Sequence, residues 1–328
     1  MTKITLPTLA DIEAASKRLQ THAVLTPLIE NPPLNEKAGG RILLKAESLQ
    51  RTGSFKFRGA YNFLSQIEPA ARINGVVAYS SGNHAQGVAA AAQIFDIPAT
   101  IVMPSDAPLM KVENTRGYGA EVVLYDRVNE SREEIAAEIS QLTGATLVPP
   151  YDHPWTIAGQ GTVGLETVDQ CEIIGVVPDA VLVCCGGGGL TAGIATALAA
   201  RSPNTKVYTV EPDGFDDTRR SLEADTRVAN DKSSVSICDA LLTPMPGELT
   251  FAVMQQHKLT GLTVSDTEVC HAVAYAWRHL KLVVEPGGAV TLAAILSGKI
   301  DCRGKTIAAT LSGGNVDAAV FRDCIRSS

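Results

Sequence analysis

The sequence has few aromatic residues, no excess of positive charge and no long run of apolar residues. Aromatic residues make up 5% of the 328 residues, and 28 lysines and arginines are outnumbered by 35 aspartates and glutamates, for a net charge of −7. That balance excludes a basic nucleic-acid-binding surface, which needs clustered Lys and Arg. No apolar run approaches the roughly 18 residues of a membrane-spanning helix. We therefore expect neither a nucleic-acid nor a membrane partner.

The sequence also lacks the patterns of a signal peptide and of a cysteine-based metal site. Residues Met1–Ala10 lack the charged start, apolar core and cleavage site of a signal peptide. The seven cysteines form no C-x-x-C pair, and several lie in apolar runs such as 181–185. We interpret them as reduced core thiols of a cytoplasmic protein, and not as a disulfide framework or a zinc site.

Short β-branched segments alternate with helical patterns from Val76 onward. The predicted strands are Val76–Tyr79, Thr100–Met103, Glu121–Tyr125, Ala180–Cys185, Lys206–Val210 and Thr306–Leu311. The predicted helices are Ala85–Phe95, Asp106–Tyr118, Ser131–Leu142, Gly161–Ile173, Leu190–Ala200, Thr267–Leu280 and Ala289–Leu296. Two such series predict an α/β protein of two lobes, with parallel sheets covered by helices and a ligand cleft between them. The segment Glu211–Glu248 has weak periodicity and is predicted to be loop-rich.

Lys56 lies between Phe55 and Phe57, directly before a helical pattern. Flanking aromatic rings could partly desolvate its amine. Burial disfavours the ammonium form of lysine, which makes the amine a nucleophile toward an aldehyde. Taken alone, the segment is a weak signal, and an exposed lysine at the start of a helix is the commoner explanation.

Four consecutive glycines, Gly186–Gly189, directly follow a predicted strand and precede a predicted helix. Their backbone N–H groups can turn toward an anion, and a helix N-terminus adds partial positive charge. The segment lacks the Lys and Ser/Thr of a nucleotide-binding P-loop and does not fit the G-x-G-x-x-G pattern well. It predicts a phosphate cradle, with a flexible glycine turn as the alternative.

Two further polar segments follow predicted strands. Ser80–His84 opens a helix, and its hydroxyl, amide and N–H groups suit a carboxylate or phenolate oxygen, although simple helix capping explains it equally well. Ser312–Asn315 could place a hydroxyl against a bound ring or form an ordinary turn. His84 by itself is more typical of a packed structural histidine than of a catalyst.

These segments, in this order, closely resemble the serine/threonine dehydratase and serine racemase family of fold type II pyridoxal-phosphate enzymes. The resemblance covers almost the whole chain and rests on residues 47–60, 80–84, 158–162, 186–189, 285–286 and 312–315. It implies a two-lobed α/β fold like that of the tryptophan synthase β subunit. It also implies a large cofactor-binding domain of residues 1–52 and 149–328 and a small domain of residues 53–148.

The resemblance implies a role for each matching residue. Lys56 would hold pyridoxal 5'-phosphate covalently and act as the base that takes the substrate's Cα proton. Ser81 matches the serine that exchanges a proton on the opposite face in racemases. The other implied cofactor contacts are Asn83 to the phenolic oxygen, Gly186, Gly187, Gly188 and Gly189 to the phosphate, and Ser312 to the pyridine nitrogen. The implied pocket for the substrate carboxylate consists of Ser80, Ser81, Gly82 and His84.

The resemblance further implies a site for Mg²⁺ or Ca²⁺ in the acidic segment 211–217. Glu211, the carbonyl of Phe215 and Asp217 match its oxygen ligands, which suit these hard cations. A solvated acidic loop is the alternative. The family also implies a homodimer, which no residue pattern in this sequence shows.

Two features separate this sequence from many relatives. Ala240 stands where many of them have a glycine in a loop close to the cofactor, so we expect a different substrate shape there. The sequence ends soon after Asn315, without room for the regulatory domain of biosynthetic threonine dehydratases. We therefore expect a short, catabolic type without feedback control.

The leading hypothesis is a dehydratase that converts L-serine, L-threonine or a related β-hydroxy amino acid to a 2-oxo acid and ammonia. One alternative is a serine racemase with side dehydratase activity. Another is a 3-hydroxyaspartate dehydratase, which would need a cation near the distal end of the substrate. Arg132 is a candidate for that cation, although a solvated helix residue is the favoured interpretation. A cofactor-binding regulatory protein without turnover is disfavoured by the intact Lys56, Ser81 and Asn83.

Overall fold

The structure, a computed structural model, describes residues 5–80, 82–107, 109–231 and 233–326, without the side chain of Met110. Within these ranges the strands are β1 Leu28–Glu30, β2 Arg41–Ala46, β3 Val76–Tyr79, β4 Ala99–Pro104, β5 Glu121–Tyr125, β6 Thr146–Leu147, β7 Ala180–Cys184, β8 Lys206–Pro212, β9 Thr260–Val264 and β10 Thr306–Leu311.

The α-helices are α1 Leu9–Leu19, α2 Pro32–Ala38, α3 Lys56–Ser65, α4 Pro69–Arg72, α5 Asn83–Phe95, α6 Leu109–Gly117, α7 Arg132–Thr143, α8 Pro154–Ile173, α9 Gly189–Arg201, α10 Asp217–Ala224, α11 Glu248–Gln256, α12 Asp266–Tyr275, α13 Pro286–Leu296 and α14 Ala318–Arg326. A π-helical segment, Ala276–Leu280, continues α12. None of these helices combines the length and the apolarity needed to cross a membrane.

The strands form two sheets. The larger has the order β1-β2-β10-β7-β8-β9 and the smaller the order β5-β4-β3-β6. Every strand pair is parallel except β1 with β2. The predicted α/β class is thus confirmed, with one antiparallel edge that the alternation of strands and helices did not predict. The domain limits at residues 52/53 and 148/149 stay a prediction, because α3 packs against both α5 and α8.

Each sheet has its own apolar core. Around the large sheet, α13 is buried along its whole length from Pro286 to Ile295. Around the small sheet, the alanine-rich face of α5 is buried from Ala85 to Ala92. Small side chains let α5 pack close to α3. The site residues that follow the strands are therefore held by two rigid layers.

Helix α8 begins at Pro154, almost two turns before the predicted start at Gly161. His153 caps its first turn, and proline at the first position suits a helix start. The glycines that weakened the helical pattern permit a close crossing with α9. A Cβ on Gly193 would lie 2.5 Å from the backbone nitrogen of Gly161. The crossing fixes α9, whose first residue ends the tetraglycine.

The prediction of a loop-rich segment from Glu211 to Glu248 was wrong for residues 217–224, which form α10. The Glu211 carboxylate accepts the backbone N–H groups of Thr218 at 2.9 Å and of Arg219 at 2.8 Å. This cap lies at the end of β8, outside the usual capping position, so the local sequence pattern does not show it.

A buried ion-pair network ties α3 to the large sheet. Arg58 is fully buried, and its guanidinium donates to Glu47 at 2.8 Å and to Glu166 at 2.6 Å. Lys45 on β2 donates to the same Glu166 at 2.7 Å. Because Arg58 lies two residues after Lys56, these bonds fix the start of α3, where Lys56 stands.

Candidate active site

A cleft of about 520 Å³ lies between the two sheets, at the carboxyl ends of β3, β7 and β10. The structure brings most of the predicted site residues to its wall. They are Lys56, Ser80, Gly82, Asn83, His84, Gly186, Gly187, Gly188, Gly189 and Ser312. Ser81 lies outside the described residues. Parallel sheets commonly bind ligands at this edge.

Lys56 is the first residue of α3 and is half-buried at the bottom of the cleft. Its Nζ donates to the carbonyl oxygen of Pro150 at 2.8 Å. Burial lowers the pKa of Lys56 to about 8, against an opposing effect of the Glu285 charge. The two flanking rings behave differently. Phe55 lies 5.2 Å from the amine, whereas Phe57 is buried in the core against Tyr61.

The tetraglycine forms the turn from β7 into α9. Gly188 has a φ of +89°, which glycine adopts without strain. A Cβ on Gly187 would lie 2.4 Å from the ring of Tyr151, and one on Gly189 would lie 2.4 Å from Oε1 of Gln160. The N–H groups of the first helical turn have no acceptor within the helix. A cradle that excludes side chains and presents N–H groups fits a phosphate.

Two hydrogen bonds to neighbouring side chains hold the side chain of Asn83 in place. Its Nδ2 donates to Glu285 at 2.6 Å, and its Oδ1 accepts from Asn315 at 2.7 Å. Burial and the charge of Asp239 raise the pKa of Glu285 to about 8. Glu285 and Asn315 belong to quoted motifs, but the sequence indicated no role for either. The structure makes them the partners that orient Asn83.

Ser312 directly follows β10 and is buried at the cleft wall. The thiol of Cys184, at the end of β7, donates to the carbonyl of Thr310 at 3.4 Å and also lines the cleft. The two strands are neighbours in the large sheet. A hydroxyl and a thiol therefore face the same side of the cavity, and neither is charged at neutral pH.

The predicted carboxylate pocket lies at the start of α5. The Gly82 N–H donates to Oγ of Ser80 at 3.2 Å. His84 is buried, with Nε2 at 2.9 Å from the carbonyl of Val148. Burial, with a smaller effect of the Lys56 charge, lowers the pKa of His84 to about 3. The imidazole is therefore neutral and its Nδ1 has no hydrogen-bond partner.

Two residues that the sequence did not single out complete this end of the cleft. Lys111 is buried, and its Nζ lies 3.9 Å from the position of a Cβ on Gly82. The Nζ of Lys111 donates to Asp239 at 2.6 Å. This ion pair connects a helix beside the small sheet to a loop beside the large sheet. The cation of Lys111 thus stands beside the predicted carboxylate pocket.

Arg132 lines the cleft with a side chain that is 37% exposed, so its role there stays a prediction. It is the first residue of α7, and its guanidinium lies 5.4 Å from the ring centre of Tyr79. It also bonds to Glu133 at 2.9 Å. The helix start directs the side chain toward the cleft, which a hydrophobic pattern of α7 could not indicate.

The predicted metal ligands lie where β8 turns into α10. Burial raises the pKa of Asp217 to about 7, and burial together with the charge of Asp217 raises the pKa of Glu211 well above its ordinary value. Oδ2 of Asp217 is buried without a hydrogen-bond partner. Among the described residues, no three His, Cys, Asp or Glu side chains converge as a metal cluster. A cation here would need backbone or water oxygens in addition.

A lysine amine and a glycine-rich turn that fits a phosphate, in one cleft between two mainly parallel sheets, are typical of the class of fold type II pyridoxal-phosphate enzymes. A family model described as "Pyridoxal-phosphate dependent enzyme" matches residues 19–313. The chain belongs to this family, as the motifs predicted.

Individual relatives cover nearly the whole chain. It is 43% identical to the L-threo-3-hydroxyaspartate ammonia-lyase of Pseudomonas sp., over 96% of this chain and 98% of that one. It is 42% identical to the serine racemase of Schizosaccharomyces pombe, over 96% of each. Among solved structures, maize serine racemase has a TM-score of 0.91 at 34% identity and covers 98% of both chains. These likenesses confirm the predicted fold class.

Proposed function

We propose that this chain is a pyridoxal-phosphate-dependent ammonia-lyase that converts a small β-hydroxy amino acid to a 2-oxo acid and ammonia, with 3-hydroxyaspartate as its preferred substrate. The observation that carries the proposal is the position of Arg132 in the same cleft as Lys56. The names of the relatives support the reaction class. The residue roles are argued below from the contacts of each side chain.

The cofactor would be held by four parts of the cleft. Lys56 would bond to its aldehyde, and the N–H groups of Gly186–Gly189 would bind its phosphate. Asn83 would bind the phenolic oxygen, supported by its fixed amide, and Ser312 would face the ring nitrogen. When bound, pyridoxal phosphate supplies an electron sink for the negative charge left on the substrate's Cα. A neutral hydroxyl at Ser312 moderates that sink, because it does not favour a protonated ring nitrogen.

Lys56 would act as the general base once the substrate amine has displaced it. A pKa near 8 leaves about a tenth of the amine neutral at pH 7, far more than the unperturbed pKa of lysine would, and proton abstraction needs the neutral amine. The Pro150 carbonyl, 2.8 Å away, holds the released amine beside the cavity. A group of fixed position and matched pKa raises the rate of proton transfer.

The substrate's α-carboxylate would bind at the start of α5. Ser80 offers a hydroxyl there, which the Gly82 N–H helps to hold in place, and Lys111 adds a buried positive charge close by. The neutral His84 forms part of the wall without adding charge. The role predicted for Ser81 stays a prediction.

Arg132 would bind a second carboxylate at the distal end of the substrate. L-Serine and L-threonine have no group there that needs a cation, whereas 3-hydroxyaspartate has one. A guanidinium is suited to bidentate contact with a carboxylate. The product from 3-hydroxyaspartate would be oxaloacetate with ammonia.

The test compares kcat/KM for L-threo-3-hydroxyaspartate, L-serine and L-threonine in wild type, Arg132→Met and the matched control Arg127→Met. Arg127 is exposed and pairs with Asp106 at 3.1 Å. A charged hydrogen bond contributes about 1.5–3 kcal/mol, so Arg132→Met should lower kcat/KM for hydroxyaspartate by about 10- to 100-fold and change serine turnover little. Arg127→Met should match wild type. Wild-type preference for serine would overturn the substrate assignment, and racemised serine without 2-oxo acid would favour a racemase.

We also propose that Glu211, the Phe215 carbonyl and Asp217 hold a divalent cation. The support is the buried, unpartnered Oδ2 of Asp217 close to a second buried carboxylate. Only oxygen ligands are offered, which suits Mg²⁺ or Ca²⁺. The Glu211 carboxylate already caps α10, so cation binding would act on the start of that helix.

A homodimer and a cytoplasmic location are two further proposals. The first is supported by the exposed apolar side chains of Leu25, Leu49 and Val283. Large apolar patches on a protein surface commonly mark interfaces. The second is supported by buried thiols such as Cys184 and Cys302, which donate to backbone carbonyls. Reduced thiols are typical of the cytoplasm.

A further inference from the structure

Two cysteines far apart in the sequence meet between α12 and the C-terminal helix α14. Cys270 lies on α12 and Cys324 on α14, and their sulfurs are 2.9 Å apart although 54 residues separate them. The sulfur–sulfur bond of a disulfide is about 2.05 Å long. The two sulfurs are therefore within about 1 Å of bonding distance.

The two thiols differ in access to solvent. Cys324 is 2% exposed, whereas Cys270 is partly exposed. Burial, together with the neighbouring Cys270, raises the pKa of Cys324 to about 12. Since the thiolate is the reactive form and an oxidant must reach it, Cys270 is the thiol that reacts first.

We propose that Cys270 and Cys324 form a reversible redox modification site, in which an oxidised low-molecular-weight disulfide converts the two thiols to an intramolecular disulfide. The Cys270 thiolate attacks one sulfur of the small disulfide and releases one small thiol. Cys324 then attacks the Cys270 sulfur, loses its proton and releases the second small thiol. Two protein thiols and one small disulfide thus give one protein disulfide and two small thiols.

The other cysteines differ in their surroundings. The thiols of Cys184 and Cys302 are buried and bond to backbone carbonyls, at 3.4 Å and 3.7 Å respectively. Neither presents a sulfur to solvent beside a second sulfur. The site is therefore defined by the packing of α12 on α14 and not by the number of cysteines in the chain.

The new bond would close a loop that contains Glu285 and Ser312. It would tie the C-terminal helix to α12 and remove conformational freedom from the unfolded chain. The expected consequence is a rise in Tm of roughly 5 °C on oxidation, reversed by a dithiol reductant. This consequence does not depend on the substrate or on the lyase assignment.

The test incubates the purified holoenzyme with graded ratios of oxidised to reduced glutathione, blocks remaining thiols under denaturing conditions and maps the peptides by mass spectrometry. We expect a cross-linked pair of peptides that contains Cys270 and Cys324, formed in parallel with the rise in Tm. Cys270→Ser should abolish both, and the control Cys302→Ser should retain both.

Recovery of both cysteines as blocked thiols under the most oxidising ratio would overturn the proposal. Recovery of Cys270 only as a mixed disulfide with glutathione would overturn it as well, because Cys324 would then not complete the exchange. The peptide map of the wild-type enzyme decides between these outcomes even if a variant does not fold.

Discussion

At the scale of single residues, Gly187 leaves no room for a side chain in the cleft wall. An added Cβ would lie 2.4 Å from three ring atoms of Tyr151, including the one that joins the ring to its own Cβ. The ring of Tyr151 cannot move away from an added Cβ on Gly187 without leaving the cleft wall. We predict that Gly187→Ala weakens pyridoxal phosphate binding by about 5- to 150-fold, since overpacking costs about 1–3 kcal/mol. Equilibrium dialysis of the cofactor measures the change.

The matched control is Gly117→Ala, at the end of α6. An added Cβ there would meet no atom within 4 Å. This variant should bind the cofactor as the wild type does, and its Tm should be equal or slightly higher, because alanine favours a helix more than glycine does. Equal cofactor affinity in Gly187→Ala and wild type would show that the phosphate does not bind in this cradle.

The pKa of the Lys56 amine predicts how the rate of covalent cofactor binding depends on pH. The neutral amine is the nucleophile, and burial lowers its pKa to about 8. The neutral fraction therefore rises with pH up to and just above 8. We predict that the rate at which apoenzyme bonds pyridoxal phosphate rises through pH 8 and then levels off, as measured by stopped-flow absorbance.

An exposed lysine would shift that inflection to about 10.4, its unperturbed pKa. An inflection near that value in the wild type would contradict the burial of the amine. Lys56→Ala is the control, because it should take up the cofactor without the covalent phase at any pH.

At the scale of elements, the turn from β8 to α10 connects cation binding to helix stability. Glu211 caps α10, and Asp217 is its first residue. We predict that Mg²⁺ raises the Tm of the wild type by on the order of 5 °C at saturation and that EDTA reverses the rise. Asp217→Asn should lose this response, whereas the exposed Asp231→Asn should keep it. A Tm that does not respond to Mg²⁺ or Ca²⁺ in the wild type would exclude the site.

The sequence predicted those elements whose pattern is local. The strands Val76–Tyr79, Glu121–Tyr125 and Thr306–Leu311 have the predicted limits, because each is a short apolar run bounded by turn residues. Helix α10 was missed because its cap comes from a residue at the end of β8. The early start of α8 was missed because glycines weaken a helical sequence pattern. Those in α8 permit the close crossing with α9.

At the scale of the whole molecule, the predicted site segments converge because each follows a strand of a parallel sheet. The residues that form hydrogen bonds with the site residues could not be predicted from the positions of the strands. Asn83 meets Glu285 across 202 residues, and Lys111 meets Asp239 across 128. Such pairs depend on how the two sheets face each other, which no periodicity encodes. The same holds for Arg132, whose direction is set by the position of α7 beside β3.

The exposed apolar residues near Gln50 give the last prediction, which concerns assembly. Leu25 is 66% exposed, Leu49 is 48% exposed, and the Gln50 side chain bonds to the backbone of Val24. A second copy of the chain would remove this apolar surface from water. We predict a dimer by light scattering, and a shift toward monomer in the double variant Leu25→Glu with Leu49→Glu.

The control for assembly is Ile73→Glu, which changes an isolated residue that is 82% exposed on the small-sheet side. It should leave the dimer intact, because a single exposed apolar residue is common on monomer surfaces. A wild-type monomer at micromolar concentration would contradict the assembly. A dimer that persists in the double variant would move the interface to another face, since two buried carboxylates without partners would oppose association there.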